Sequence, residues 1–193
     1  MSSLQIIAPV PIEEFIATHG PAISKVVIVG DNRDYNVALC TLQQEGANGE
    51  LMGTGVLSGL ATTVSPAATT TAQAMTDAVW IDYIRKAIEA VNANEKICLN
   101  RAFRVRKFTI LPRDFSIEKD ENTPTLKFKR SVIEQNYRGH IDKMYSTPLD
   151  DSVDVAYVDT SDVPLDLTSI STPNGNGNGA AVHQNPPPLT GKL

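Results

Sequence analysis

Lys25-Val-Val-Ile-Val-Gly-Asp-Asn-Arg-Asp-Tyr-Asn-Val-Ala-Leu-Cys-Thr-Leu42 decides the fold. Its first six residues are a β-branched run without polar alternation, the pattern of a strand covered on both faces. Asp31-Asn-Arg-Asp34 is a turn cluster, and Val37 to Leu42 reads as a second strand hairpin-paired with the first. Upstream, Pro11-Ile-Glu-Glu-Phe-Ile-Ala17 predicts a short amphipathic helix. Proline and glutamate favour a first turn, and Ile12, Phe15 and Ile16 share one face. Downstream, residues 44–75 are poor in large apolar side chains and read as an irregular, partly mobile loop. A helix capped by Thr76 or Asp77 follows, with Trp80, Ile81, Ile84, Ile88 and Val91 on its apolar face. Phe103 to Leu111 returns to strand character. Ser131-Val-Ile-Glu134 is a capping-box pattern opening a last helix, whose buried face is Ile133, Tyr137, Ile141 and Met144. The expected fold is a small α+β domain over residues 1–145, with a short mixed sheet packed by helices and a long internal loop. Residues 146–193 hold Asn174-Gly-Asn-Gly-Asn-Gly179 and Pro186-Pro-Pro188, and are expected to be a disordered acidic tail.

Charge is unevenly placed. The 193-residue chain carries a net charge of −5, and residues 146–193, with six Asp and one Lys, account for all of it. Residues 101–130 instead hold nine Lys or Arg against four Asp or Glu. Such an excess suits phosphate-bearing small molecules, or is a solvated surface; nothing in it points to nucleic acid. Cys40 and Cys98 have no metal or redox spacing and read as reduced thiols. His19, His140 and His183 are scattered, so no metal ligands are expected. Ser116 and Ser131 lack a His/Asp partner pattern. No apolar run reaches the roughly 18–20 residues needed to span a bilayer.

Four stretches carry a resemblance. They are Ile7-Ala-Pro-Val-Pro-Ile-Glu-Glu14, Leu111-Pro-Arg-Asp-Phe-Ser-Ile117, Thr123-Pro-Thr-Leu-Lys-Phe-Lys-Arg130 and Ile141-Asp-Lys-Met-Tyr145. Together they resemble the C-terminal lid domain of AMP-forming long-chain acyl-CoA synthetases, adenylate-forming ligases, nearest to the bubblegum branch. In that family a carboxylate first attacks the α-phosphate of ATP, and CoA then displaces AMP. The resemblance places the family's mobile catalytic lysine on Lys127, with Lys129 and Arg130 as basic neighbours. By spacing alone, Lys127 is one lysine on a charged loop. Arg104, Arg106, Lys129 and Arg130 are candidates for phosphate or CoA contacts, with Arg101 and Lys107 beside the first two, because guanidinium groups bind phosphate bidentately.

The chain also departs from the family pattern. Leu126 stands where many relatives outside this branch have Gly. Ser2-Ser-Leu-Gln5 replaces a Gly-Gly-Glu-Asn segment, and no glycine-rich phosphate loop is present. The resemblance therefore implies ATP, CoA and Mg for the complete enzyme, with a large N-terminal adenylation domain or a full-length ligase as partner. It implies a chain inactive alone, cytoplasmic or at most peripheral to an intracellular membrane. The alternative is a non-catalytic module that binds CoA or acyl-adenylate, or docks on a ligase. Trp80, Tyr83, Ile84 and Asn92 also match that branch, but read first as core packing.

Overall fold

A computed structural model describes residues 9–150 and 152–165. Its centre is a four-stranded mixed sheet: β1 (Ile23–Val29), β2 (Asn36–Leu42), β3 (Val105–Ile110) and β4 (Ala156–Tyr157), in that spatial order. β1 and β2 form the expected antiparallel hairpin, with Val27 opposite Leu39 and Val29 opposite Val37. The β2–β3 and β3–β4 pairs are parallel. Gly30 opens the hairpin turn. A Cβ there would lie 1.8 Å from the Asn36 Oδ1 atom, so only glycine admits this approach.

Helices cover both faces, which is why β2 is buried at all seven positions. On one face α1 (Pro9–His19) and α3 (Ala78–Asn92) press Ile12, Ile16, Trp80, Ile84, Ile88 and Val91 against Val26, Ile28, Cys40, Phe108 and Ile110. On the other, α4 (Arg130–Asn136) and α5 (Arg138–Ser146) bring Ile133, Tyr137, Ile141 and Met144 onto Val27, Val29, Val37 and Leu39. Alternation along each strand divides its side chains between the two layers. An irregularity between Asn36 and Val37 shifts the β2–β3 register, so that Val105 and Phe108 reach the same face. Asp77 caps α3 by accepting the Val79 amide at 2.7 Å, as its sequence predicts. Trp80 and Ile84 are core residues, and Asn92 exchanges both its amide groups with the Val105 backbone at 2.9 Å.

Three expectations are corrected. Residues 44–75 are packed rather than loose: bridges pair Gln44 with Leu57 and Val56 with Thr70. A short α2 (Thr71–Ala74) with its own capping box follows, and Leu57, Ala61, Ala68, Ala74 and Met75 join the α1/α3 core. Here alanines do the work of large apolar residues because the backbone comes close. The last helix is two helices that break at Tyr137, and no capping box forms at Ser131, since Lys129 is the N-terminal flanking residue and makes no side-chain cap. Finally, order does not stop at Tyr145. β4 adds to the sheet, Val155 and Val158 are buried, and the Tyr157 hydroxyl donates to the Met75 carbonyl at 2.7 Å. Thr109 and Thr160 share a buried hydroxyl hydrogen bond of 2.8 Å. The expectation for residues 166–193, like the start of the Ile7–Glu14 stretch, lies outside the described residues.

Candidate functional site

The stretch from Leu111 to Arg130 is a loop built from the core outward. Leu111 and Phe115 are buried in the α4/α5 layer. Asp114 is buried at the root of the loop: its Oδ1 accepts the Thr41 hydroxyl at 2.7 Å and the Phe115 amide at 2.9 Å, and its Oδ2 accepts the Ser24 hydroxyl at 2.5 Å. Arg113 donates both terminal nitrogens to the fully buried Glu121 carboxylate, each at 2.8 Å, and its guanidinium lies 5.3 Å from the Tyr137 ring centre. Glu121 also accepts the Ser116 amide and the Asn136 side-chain amide, both at 3.2 Å. Burial, the largest single influence, lowers the Arg113 pKa; the Glu121 hydrogen bonds together with the nearby Tyr137, Glu121 and Glu118 outweigh it, and the net shift is upward. The Pro-Arg-Asp-Phe-Ser stretch is thus an anchor rather than a reacting group.

From that anchor a tight hairpin projects. The Lys129 amide donates to the Glu121 carbonyl at 2.8 Å, Asn122 bridges to Phe128, and the Thr123 amide donates to the Lys127 carbonyl at 2.8 Å. The Lys127 amide donates to the Thr123 hydroxyl at 3.1 Å. Phe128 turns inward, edge-on to Phe115 with ring centres 5.6 Å apart. Its neighbour Lys127 therefore turns outward and is exposed. Lys127 lines a cleft of about 670 Å³ with Val10, Glu14, Lys25, Val26 and Leu126.

The other predicted residues are differently placed. Arg130 forms a two-pronged ion pair with Glu13 of α1, at 2.8 and 2.7 Å, and that bond raises its pKa. The same Glu13 accepts the Ile28 amide of the edge strand β1 at 2.8 Å. Lys129 is ion-paired with Asp120. Arg106 donates to the Asp154 carbonyl at 2.8 Å, while Arg101 and Arg104 are exposed beside it around a recess of about 450 Å³. Lys107 is fully buried, bonded to the Tyr35 hydroxyl and to the Met144 and Thr147 carbonyls, so it does not belong to that cluster.

The candidates do not form one site. The arginines adjoin Asn36, at the start of β2, whereas the Lys127 cleft adjoins Lys25, which pairs with Thr41 near the end of β2. Five residue steps of extended strand separate them, roughly 17 Å. The Glu13–Arg130 and Arg113–Glu121 pairs have no sequence signal, because contacts between distant charges leave no periodicity. Among the described residues no cluster of three His, Cys, Asp or Glu side chains could hold a metal ion, and no helix is long and apolar enough to cross a membrane.

With the geometry in place, comparison with known proteins defines the class. Residues 4–65 match the family model of the AMP-binding enzyme C-terminal domain. The long-chain-fatty-acid–CoA ligase ACSBG2 of Mus musculus is 35% identical over 150 residues, covering 72% of this chain and 21% of that protein. Human ACSBG1, also a long-chain-fatty-acid–CoA ligase, is 32% identical over 145 residues, covering 72% and 20%. Among solved structures, the adenylation domain of a carboxylate reductase from Mycobacterium chelonae aligns with a TM-score of 0.50 at 16% identity, over 72% of this chain and 18% of that one. The chain belongs to the C-terminal domains of AMP-binding, adenylate-forming enzymes, on the branch of the bubblegum-like long-chain ligases. It spans about a fifth of the length of the curated relatives it matches.

Proposed function

We propose that this chain is the mobile C-terminal part of a long-chain fatty acid–CoA ligase, and that Lys127 serves the adenylation half-reaction. The observation that carries the reading is the isolation of one cation. Between residues 107 and 130 every other basic side chain is engaged: Lys107 by carbonyls, Arg113 by Glu121, Lys119 by Glu118, Lys129 by Asp120 and Arg130 by Glu13. Within that stretch the Lys127 ammonium alone has no such partner among the described residues, and it stands on a pinned turn at the rim of a cleft that Lys25 also lines. A preorganised, unpaired cation stabilises the charge that gathers on a phosphate under attack, at no cost of breaking a prior ion pair. ATP and the fatty acid would be held by the large domain of such a ligase, and Mg with them.

Arg101, Arg104 and Arg106 suit the phosphates of CoA. Arg101 and Arg104 make no side-chain hydrogen bond or ion pair among the described residues, and guanidinium groups match phosphate geometry. This also supports the second reading, a CoA-binding module without catalysis.

The test places the chain behind the large domain of a curated relative, replacing that relative's own C-terminal part. Lys127→Ala should slow acyl-adenylate formation by on the order of 100-fold or more. Thioester formation from preformed acyl-adenylate should be spared, because a charge used only in the first transition state affects only that step. Equal loss in both half-reactions, or no loss, refutes the assignment. The 193-residue chain alone should make no acyl-CoA.

A further inference from the structure

We propose that Leu126 and Gly49 are positioning residues for Lys127: the Leu126 side chain, held in a left-handed backbone conformation, closes over Gly49 and fixes the turn that presents the lysine. The inference rests on the reading of Lys127 given above.

Leu126 has φ of +59°, a region that bulky residues avoid. It donates its amide to the Thr123 carbonyl at 2.8 Å, and Lys127 follows it directly. The chain accepts this strain where glycine would carry none, so the leucine side chain must return something. Its partner is Gly49, itself at φ of +87°. A Cβ on Gly49 would lie 2.8 Å from Leu126 Cδ2 and 3.4 Å from Cδ1, so the leucine occupies the space that any side chain at 49 would need. Leu126 is 51% exposed. One side of it is seated on the 47–53 loop and the other faces the cleft beside Lys127.

That loop is in turn tied to the anchor. The Gly49 carbonyl accepts the Ile117 amide at 2.9 Å and the Asn122 side-chain amide at 3.0 Å, and the Met52 carbonyl accepts the Asp114 amide at 2.9 Å. Leu126 is therefore the contact that connects the tip of the turn to ground already fixed at its base. Without it, the tip is held only by the Thr123 bonds. A lysine whose turn wanders spends less time at the reacting phosphate, and the geometric advantage falls steeply with misplacement.

The first experiment uses the full 193-residue chain. Amide exchange at Lys127 and trypsin cleavage after Lys127 are measured beside thermal unfolding, for the native chain, Leu126→Gly, Leu126→Met, Gly49→Ala and the double variant Gly49→Ala/Leu126→Gly. Leu126→Gly should speed both local readouts on the order of tenfold with Tm nearly unchanged, since local opening is separable from global unfolding. Leu126→Met should restore native rates. Gly49→Ala should loosen the turn more when Leu126 is present than once Leu126 is gone, where only the strain of its own φ of +87° remains. A purely local strain at residue 49 would act equally in both backgrounds and would overturn the pairing, as would unchanged exchange in Leu126→Gly.

The second experiment uses the fusion with the large domain. Leu126→Gly should lower the single-turnover rate of adenylation with KM for ATP unchanged, and Leu126→Met should recover it. If Lys127→Ala abolishes adenylation while Leu126→Gly leaves it intact, the positioning role is refuted. If Lys127→Ala itself has no effect, the proposed function falls instead, and the exchange data decide the turn on their own.

Discussion

Replacing Glu121 by alanine is the sharpest test of the anchor beneath Lys127. Glu121 has no exposed surface and receives four donors: two from Arg113, one from Ser116 and one from Asn136. Arg113 is 6% exposed and its Nε atom already lacks a partner, so removing the carboxylate strands a buried guanidinium. Breaking one side of a buried ion pair costs about 3–5 kcal/mol, against a total stability of roughly 5–15 kcal/mol for a domain. With an m value of about 1–3 kcal/mol per molar urea, the unfolding midpoint should drop by on the order of 2 M. Glu121→Gln keeps an acceptor and its donors' geometry, and should cost less. The paired replacement Arg113→Met with Glu121→Leu should recover much of the loss, because an apolar pair of similar volume often equals a buried ion pair. Urea unfolding followed by circular dichroism gives the three midpoints. A loss below about 1 kcal/mol in Glu121→Ala would mean that the pair is solvated and that the hairpin does not depend on it.

Two further outcomes can be checked on the same chain. Burial, with Lys143 and Arg113 nearby, lowers the His140 pKa to about 4 from 6.5; the unfolded chain therefore takes up this proton first, and His140 makes the fold lose stability as pH falls from about 6.5 towards 4. Thermal unfolding across that range should show the loss, and His140→Phe should flatten it; an unchanged pH slope refutes the assignment. Gly30→Ala should destabilise by about 1–3 kcal/mol or more, since its methyl would collide with Asn36, and Asn36→Ala in the same chain should relieve part of that cost; a neutral Gly30→Ala in urea unfolding would contradict the packing.

What the sequence reveals follows from where physical forces leave a periodic trace. The β1–β2 hairpin is legible because both faces of the sheet are covered, which selects an apolar run on either side of a turn. The face of α3 is legible because Trp80, Ile84, Ile88 and Val91 repeat at helical spacing. Residues 44–75 leave no such trace: they are fixed by two backbone bridges and by alanines whose small size allows close approach. β4 is only two residues long, and its acidic surroundings outweigh Val155 and Val158 in any composition average.

The candidate site divides along the same line. Lys127 is proposed from its flanking motif, a signal carried by local sequence. What gives that lysine a defined place is long-range: Glu13 to Arg130 across 117 residues, Asn122 to Gly49 across 73 and Asp114 to Ser24 across 90. Contacts at such separations are closed only when the whole domain folds, since each must first overcome the entropy of closing a long loop. The motif read as catalytic therefore contains two kinds of residue. Arg113, Asp114 and Glu121 spend their charges inside the fold, where they are matched and fixed, and this leaves the ammonium of Lys127 unmatched at the surface. Substitutions in the first group should be read in stability and those at Lys127 in rate. A chain in which Glu121→Ala and Lys127→Ala both altered only the rate, with unfolding midpoints unmoved, would not be built this way.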